Sequence, residues 1–361
     1  MKSFVAKWWP VIMMIAISLA FAINNVLLKK IVDDGIDHLV FVTYRQCISA
    51  VFLSPLALFI ERRSRPKLMP SVLCYLFVSA LIGGSVSQYL FLLGIEYTSA
   101  TLTCTFLNIV PVLTFLMALP LGLESLNIRC SSGKAKLLGA VICLGSTVLL
   151  TLYKGAPLIH FSNDARPVSH AKANARAWVM GSMALIAGTF CWSSWFLIQT
   201  KIGRQYPCQY SSTAIMACFS SIQSAALSLS FNRKLSVWIL KTRSDIFIIL
   251  YAGIVGSGLC FVGMSWCVKK RGPVFTSAFS PLVQIMAACL DVPLLHEQLH
   301  LGSLIGSIAV IAGLYILLWG KNREMQSQET KLILQGTDQE IKNQEPEQFQ
   351  VVRTSVDTNQ P

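Results

Sequence analysis

Charged residues are scarce in this sequence of 361 residues. Asp, Glu, Lys and Arg make up 13% of the chain, whereas hydrophobic residues make up 54%. A soluble domain carries about 25% charged residues, because its surface must be solvated. So few charges cannot cover a water-facing surface of this size. This excludes a soluble globular protein for most of the chain and leaves lipid as its solvent.

Motifs for metal, disulfide, nucleotide and glycan chemistry are also missing. The eleven cysteines include no Cys-x-x-Cys pair, and most lie in apolar stretches, where they act as small hydrophobes. The five histidines form no His-Glu-x-x-His pattern, and neither a phosphate-binding loop nor an Asn-x-Ser/Thr sequence occurs. We therefore expect no enzyme, no metal and no cofactor.

The chain has a strong excess of basic over acidic residues and a net charge of +13. The basic residues lie in short segments between apolar stretches and do not form a soluble basic domain. This distribution favours contact with the anionic surface of a lipid bilayer and argues against a nucleic-acid partner.

Ten apolar runs follow one another along the chain, and each approaches the roughly 20 residues that a helix needs to cross a bilayer. The runs cover residues 8–28, 39–60, 71–94, 101–123, 136–153, 177–199, 209–231, 246–268, 274–295 and 301–319. The sequence therefore predicts an all-α, multi-pass membrane protein with ten spanning helices. Although Ala20-Phe21-Ala22 resembles a signal-peptidase site, the first run is longer than a signal core, so we expect it to remain as a span.

The two halves of the chain are related to each other at an offset of about 170 residues. This offset pairs Gly83 with Gly253, Ser87 with Ser257 and Pro111 with Pro281. Each half holds five runs, and an odd number forces the second half to enter the membrane inverted, as in many secondary transporters. We expect two five-helix repeats at 8–153 and 177–320, a non-cytosolic loop at 154–176 and a disordered cytosolic tail at 321–361.

The distribution of Lys and Arg predicts the orientation. With both termini in the cytosol, the cytosolic segments hold about 16 basic residues and the outer segments about 10. The short, strongly basic turns at 61–67 and 269–271 favour this orientation, whereas the basic segment at 233–243 opposes it.

The small-residue motifs Ala135-x-x-x-Gly139 and Gly302-x-x-x-Gly306 could join helices within one chain or in a homo-oligomer.

Polar side chains inside the apolar runs are the candidates for a solute pathway, because polar groups are costly in hydrocarbon. Each of them either forms a hydrogen bond between helices or lines a wet cavity, and the sequence leaves both readings open. The candidates are Asn24, Asn25, Gln88, Asn108, Trp192, Trp195, Ser257 and Gln284.

Two prolines and two charges complete the set of candidate residues. Pro111 and Pro281 are expected to kink their helices, either as static bends or as hinges. Arg45 and Asp291 are formal charges within runs, and in the predicted topology they lie at similar depth on the outer side. Either each reaches the outer interface separately, or the two pair or share a water-filled vestibule that attracts the charged groups of a solute.

Several stretches resemble the plant drug/metabolite exporters, which are nodulin-like, walls-are-thin-related (UMAMIT) proteins with paired EamA domains. They are 94–101 (Gly-Ile-Glu-Tyr-Thr-Ser-Ala-Thr), 108–115 (Asn-Ile-Val-Pro-Val-Leu-Thr-Phe), 281–284 (Pro-Leu-Val-Gln), 295–306 (Leu-His-Glu-Gln-x-x-Leu-Gly-Ser-Leu-Ile-Gly) and 313–321 (Gly-Leu-Tyr-Ile-Leu-Leu-Trp-Gly-Lys). The resemblance implies the ten-helix drug/metabolite transporter fold, with both termini cytosolic. It also implies a central cavity lined by the first, third, fourth, sixth, eighth and ninth helices.

The function implied by the resemblance is transport of small organic solutes, most commonly amino acids, at the plasma membrane rather than the vacuole. Auxin-related compounds or other metabolites are alternative solutes. A receptor or scaffold that does not transport is a second class of function, and its contacts would lie in the tail or loops. Transport that survives deletion of residues 325–361 would separate these two classes.

Overall fold

The fold consists of helices and short connections throughout the described residues of a computed structural model. The structure describes residues 2–33, 37–63, 65–98, 100–124, 129–152, 175–231, 238, 242–295, 305–306, 308–309, 311–313, 315–324, 326–327 and 330. In chain order the helices are α1 Lys2–Asp33, α2 His38–Ile60, α3 Pro70–Ser79, α4 Ser87–Tyr97, α5 Ala100–Ala118, α6 Ser131–Leu152, α7 Ala175–Gln205, α8 Gln209–Phe231, α9 Arg243–Tyr251, α10 Cys260–Arg271, α11 Pro273–Ser277 and α12 Ser280–Leu295.

Six described helical segments are long and apolar enough to cross a membrane. They are Trp8–Leu28, His38–Ile60, Pro70–Tyr97, Arg176–Gln205, Gln209–Ser230 and Arg243–Arg271. Two shorter apolar segments, Phe106–Ala118 and Pro273–Ala287, lie in the fourth and ninth predicted runs. Large apolar side chains such as Phe59, which is 85% exposed, face outward along these helices. The chain is therefore an all-helical, multi-pass membrane protein, with six of the ten expected spans established by length and composition.

Two of these spans contain a π-helical segment that the hydropathy pattern does not predict. The first π segment, Ala80–Val86, joins α3 to α4, and the second, Ala252–Leu259, joins α9 to α10. Both are rich in glycine, and their glycines lie against bulky neighbours. A Cβ atom on Gly83 would lie 2.0 Å from Cδ1 of Trp195, and one on Gly253 would lie 2.7 Å from Cβ of Ile48. Glycine at these positions permits a close helix contact, and π segments often occur at functional sites.

The ninth predicted run is not one continuous helix. It is divided into α11 and α12 by a turn at Ala278–Phe279, and Pro281 is the second residue of α12. There its missing N–H removes no intrahelical hydrogen bond, because the first N–H groups of a helix have no partner. Pro111 lies within α5, where its kink or hinge stays a prediction, whereas the expected position of Pro281 inside a continuous helix is wrong, because Pro281 follows a helix break.

Contacts between the helices bring the two halves of the chain together. α2 packs along α8, α7 contacts α4 and α5, and α1 contacts α10 and α12. The first π segment lies against α8, and the second lies against α2.

The predicted motif Ala135-x-x-x-Gly139 packs against another helix of the same chain. A Cβ atom on Gly139 of α6 would lie 2.6 Å from the backbone nitrogen of Leu317.

Candidate functional site

Aromatic side chains from three helices meet in the centre of the bundle. Trp192 stacks on Trp195 with ring centroids 5.1 Å apart and planes 10° apart. The ring of Phe261 in α10 meets both indoles edge-on at 5.9 Å and 5.2 Å, and Phe21 of α1 meets Phe261 at 6.5 Å. Offset stacking and edge-to-face packing are the favourable arrangements for such rings. We call Phe21, Trp192, Trp195 and Phe261 the aromatic cluster.

The two predicted tryptophans have different surroundings within this cluster. Trp195 is fully buried, and its Nε1 donates to Sδ of Met216 at 3.5 Å. It also fills the space left by Gly83, so it holds α7 against the first π segment. Trp192 is only half-buried, one turn closer to the start of α7. Trp192 is therefore the more accessible indole of the pair, and Trp195 packs beneath it.

A hydrogen-bonded network that the sequence did not predict closes one end of the aromatic cluster. Gln199 of α7 donates to Oγ of Ser79 at 3.2 Å, and Oγ of Ser265 donates to Oε1 of Gln199 at 3.3 Å. Ser265 also contacts the side chain of Gln209 at the start of α8. All four side chains are buried. Because each helix contributes a partner, the network joins α3, α7, α8 and α10 near the turn at residues 206–208.

Several predicted pathway residues carry buried polar atoms that have no hydrogen-bond partner among the described residues. They are Oδ1 of Asn24, Oδ1 of Asn108 and Oγ of Ser257. These three residues are 5%, 4% and 2% exposed, and they come from α1, α5 and the second π segment. Asn24 lies beside Gly256, the residue before Ser257, since a Cβ atom on Gly256 would lie 3.3 Å from its Oδ1. Leaving a buried polar atom unpaired costs about 1–3 kcal/mol, so each of these atoms is a position for water or a bound solute.

Arg45 is the clearest case of a buried polar group that lacks a partner. The residue is 6% exposed, and its guanidinium lies 5.8 Å from the centre of the Phe41 ring. Its Nε and Nη2 have no hydrogen-bond partner in the described part of the chain. The guanidinium of Arg45 is therefore enclosed by the protein. The side chain of Asp291 lies outside the described residues, so its pairing with Arg45 stays a prediction.

The remaining predicted residues lie on α1, α4, α5 and α12. Asn25 in α1, Gln88 in α4 and Gln284 in α12 are half-buried. Gln88 directly follows Ser87, where the first π segment ends and α4 begins. Pro111 is buried in α5, and Oγ of Ser193 in α7 donates to the carbonyl of the preceding residue, Val110, at 3.5 Å.

A buried ionic cluster was also missed by the sequence patterns. Nζ of Lys136 donates to the carboxylates of Glu124, at 3.2 Å, and Glu324, and Nζ of Lys321 donates to Glu124. The side chain of Glu124 is 1% exposed and that of Lys136 is 3% exposed. The cluster ties the end of α5 to α6 and to the start of the tail. The sequence did not predict this cluster because its partners are far apart in the chain. Each charged residue alone indicates only where an apolar run begins or ends.

Comparison with known proteins agrees with this architecture. A profile of the EamA-like transporter family matches the chain twice, at residues 8–152 and 179–319. Three WAT1-related proteins of Arabidopsis thaliana are 48%, 47% and 44% identical to the chain. The alignments cover 90%, 89% and 98% of this chain and 90%, 89% and 96% of the relatives. A solved crystal structure that is 16% identical shares the fold, with a TM-score of 0.65 over 86% of this chain and 98% of the other.

The twofold profile match covers well over half of the chain, and the relatives are similar over nearly their whole length. The aromatic cluster and the unpartnered polar atoms lie inside the two matched regions. The chain therefore belongs to the EamA-like transporter family of membrane transporters.

Proposed function

We propose that this transporter moves small organic solutes bearing a carboxylate, amino acids first, by alternating access between its two halves. The observation that carries the proposal is the set of buried, unpartnered polar atoms on α1, α2, α5 and the second π segment. Inside an apolar bundle such atoms need a polar partner, and a solute in transit supplies one.

The proposed architecture has ten spanning helices in two inverted five-helix repeats. The two profile matches, at residues 8–152 and 179–319, support this arrangement. Helix contacts support it too. In the proposed repeats α1 corresponds to α7, α4 to α10 and α5 to α12. The contact of α5 with α7 then corresponds to that of α12 with α1, and the contact of α4 with α7 to that of α10 with α1. The first π segment, which lies against α8, then corresponds to the second, which lies against α2. Two corresponding halves are what a rocking mechanism requires.

The proposed solute site lies between Trp192 and the polar atoms of α1, α5 and the second π segment. Asn24, Asn108 and Ser257 offer oxygen atoms that can accept hydrogen bonds from an ammonium group. Arg45 offers N–H donors for a carboxylate, which a guanidinium can bind with two parallel hydrogen bonds. The half-buried ring of Trp192 offers an apolar face for the solute side chain. A zwitterion with a small side chain satisfies all three groups.

Indole acids such as auxin are the second candidate solutes. The aromatic cluster favours them, since an indole ring can stack on Trp192 as Trp195 does. Their carboxylate would use the same guanidinium of Arg45. They lack the ammonium group, so Asn24 and Asn108 would stay without a charged partner. This difference ranks amino acids first.

We place the transporter in the plasma membrane with both termini in the cytosol. The excess of Lys and Arg on the side of the termini supports this orientation. A membrane-impermeant thiol reagent applied to intact cells should modify a cysteine introduced in the loop 160–170 and spare one introduced at position 325. The reverse pattern would contradict the orientation.

Uptake by proteoliposomes tests the proposed function. Purified full-length protein should take up radiolabelled neutral amino acids faster than protein-free liposomes, and indole-3-acetic acid should compete. Labelled glucose, which has neither carboxylate nor amine, is the solute control and should not enter. Uptake of glucose without uptake of any amino acid or indole acid would contradict the proposed solute class.

A further inference from the structure

A strongly basic surface surrounds the turn at residues 206–208, at one end of the helix bundle. The turn after α2 contributes Arg62, Arg63, Arg65 and Lys67, the end of α7 contributes Lys201 and Arg204, and the end of α10 contributes Lys269 and Lys270. All eight side chains are exposed. We call these eight residues the basic surface.

Contacts to the turn at 206–208 show that the three segments form one surface. Nζ of Lys269 donates to the carbonyl of Pro207 at 3.2 Å. Glu61 accepts hydrogen bonds from the backbone nitrogens of Tyr210 and Ser211 at 3.0 Å and 2.7 Å, which fixes the turn after α2 against the start of α8.

The electrostatics of Cys208 in this turn lead to the same conclusion. Burial raises the pKa of the Cys208 thiol, and the negative charge of Glu61 adds to this effect. The positive charges of Arg65 and Lys269 lower the same pKa. Charged residues from the turn after α2 and from the end of α10 therefore both lie close enough to the Cys208 thiol to change its pKa.

Among the described residues, no acidic side chain forms an ion pair with the basic surface. Apart from Glu61, the segments 61–69, 198–211 and 265–277 contain no Asp or Glu. Glu61 is buried, 8% exposed, and its carboxylate is occupied by the start of α8. The ionic cluster of Lys136, Glu124, Lys321 and Glu324 differs, because there each base has an acidic partner. Within the described part of the chain, the charge of the basic surface is thus not neutralised, and the surface can attract anions.

The position of the basic surface identifies the source of those anions. Exposed apolar residues flank the turn after α2 on both sides, with Phe59 and Ile60 before it and Leu68 and Met69 after it. Such residues face acyl chains, so the basic side chains between them lie at the level of the lipid headgroups. Lys201 lies 4.6 Å above the ring of Tyr75, which also holds its charge at this level.

We infer that the basic surface binds anionic lipid headgroups, and phosphorylated inositol lipids above all, in the leaflet on its side of the membrane. Clusters of four to eight Lys and Arg beside a membrane span attract such lipids electrostatically. A headgroup with several phosphates can contact two of the three segments together. Bound lipid would then join the turn after α2 to the ends of α7 and α10. All three segments lie around the turn at residues 206–208.

Binding of a water-soluble lipid to the purified full-length protein tests the inference. We expect dioctanoyl phosphatidylinositol 4,5-bisphosphate to bind in detergent, measured by microscale thermophoresis, and dioctanoyl phosphatidylcholine not to bind. The variant R62Q/R63Q/R65Q/K67Q should bind the inositol lipid at least tenfold more weakly. A second variant, R204Q/K270Q, removes charges from the other two segments and should also weaken binding severalfold.

A control variant and two competing anions separate lipid binding from the binding of a soluble anion. The variant R176Q/R243Q removes two exposed cations from the starts of α7 and α9 and should bind like the unchanged protein. Equal affinity of R62Q/R63Q/R65Q/K67Q and the unchanged protein would overturn the inference. Inositol 1,4,5-trisphosphate binding as tightly as the lipid would indicate a soluble phosphate site. Tighter binding of polyglutamate would indicate an acidic polypeptide partner, and either result overturns the lipid assignment. Solute uptake is not the readout, so these outcomes are independent of the proposed transport function.

Discussion

Unpaired polar atoms occur at three of the predicted pathway residues, and the described chain also has them at other buried positions such as Ser49, Thr114 and Ser228. Several buried hydroxyl groups of the spans donate to a carbonyl one turn earlier, as Thr43 does to Leu39 and Ser87 does to Gly83, each at 2.8 Å. Such local bonds hide the hydroxyl from lipid and need no solute. Asn24, Asn108 and Ser257 break this pattern, and all three were predicted as pathway residues from the sequence.

Replacing Arg45 by Gln should weaken transport of carboxylate solutes. The guanidinium is buried, so its positive charge and the N–H groups of Nε and Nη2, which have no partner in the described residues, would act on a solute with little screening by water. We expect the KM for neutral amino acids in proteoliposomes to rise at least tenfold. Glycinamide, which keeps the amine and lacks the carboxylate, serves as the matched solute, and its transport should change little.

The same experiment tests the predicted partnership with Asp291. If the two charges share a vestibule, R45Q/D291N should lose less activity than the product of the single losses, because neither charge is left alone. Strictly multiplicative losses would make the charges independent. An unchanged KM for amino acids in R45Q would remove Arg45 from the solute site.

At the scale of the element, the two π segments determine how closely their spans approach the neighbouring helices. Each replaces a regular helical turn at the point where the span meets its neighbours from the other half. In the first π segment, Gly84 approaches α8 closely, since its Cβ position lies 2.5 Å from Oγ of Ser220. A transporter that changes shape needs helices that can slide past each other, and small residues at such contacts permit this.

Replacing Gly83 by Ala should destabilise the protein, because the new methyl group would occupy the position of the Trp195 ring. Trp195 is fully buried between α7, α8 and α10 and has no free space to move into. Overpacking of this kind costs about 1–3 kcal/mol. The midpoint of thermal unfolding in detergent, followed by the reactivity of buried cysteines, should fall by several degrees.

Gly145 provides the matched control for this substitution. It lies in α6, is exposed, and a Cβ atom there would have no neighbour within 4 Å. G145A should therefore leave the unfolding midpoint unchanged or raise it slightly, since Ala favours a helix over Gly. Equal midpoints for G83A and the unchanged protein would show that the first π segment and Trp195 do not pack closely against each other.

Hydropathy predicted where helices lie far better than how they are built. The bounds of α2 and α8 agree with the predicted runs within a residue, because polar turns end both runs sharply. The π segments and the break before Pro281 were not predicted, because both depend on backbone hydrogen bonding and leave the apolar pattern unchanged. The network around Gln199 was missed for a different reason: its partners come from four helices, and single-sequence patterns carry no information on such contacts.

At the scale of the whole molecule, the structure combines a closed end and an interior with unpaired polar atoms. The network of Ser79, Gln199, Gln209 and Ser265 joins helices from both halves beside the basic surface. The unpartnered atoms of Asn24, Asn108 and Arg45 lie on other parts of the spans. In alternating access one side of the solute site is sealed while the other is accessible, and a hydrogen-bonded seal between the halves suits this role.

Counterflow in proteoliposomes tests the central claim, that solute crosses between two halves which alternate in their access. Vesicles holding the full-length protein are preloaded with unlabelled amino acid, and the initial rate of entrance of labelled amino acid is measured. Alternating access predicts that preloading raises this rate severalfold, because the returning transporter carries solute and does not return empty. A rate that is unaffected by preloading, or no entrance of label beyond that of protein-free vesicles, would contradict it.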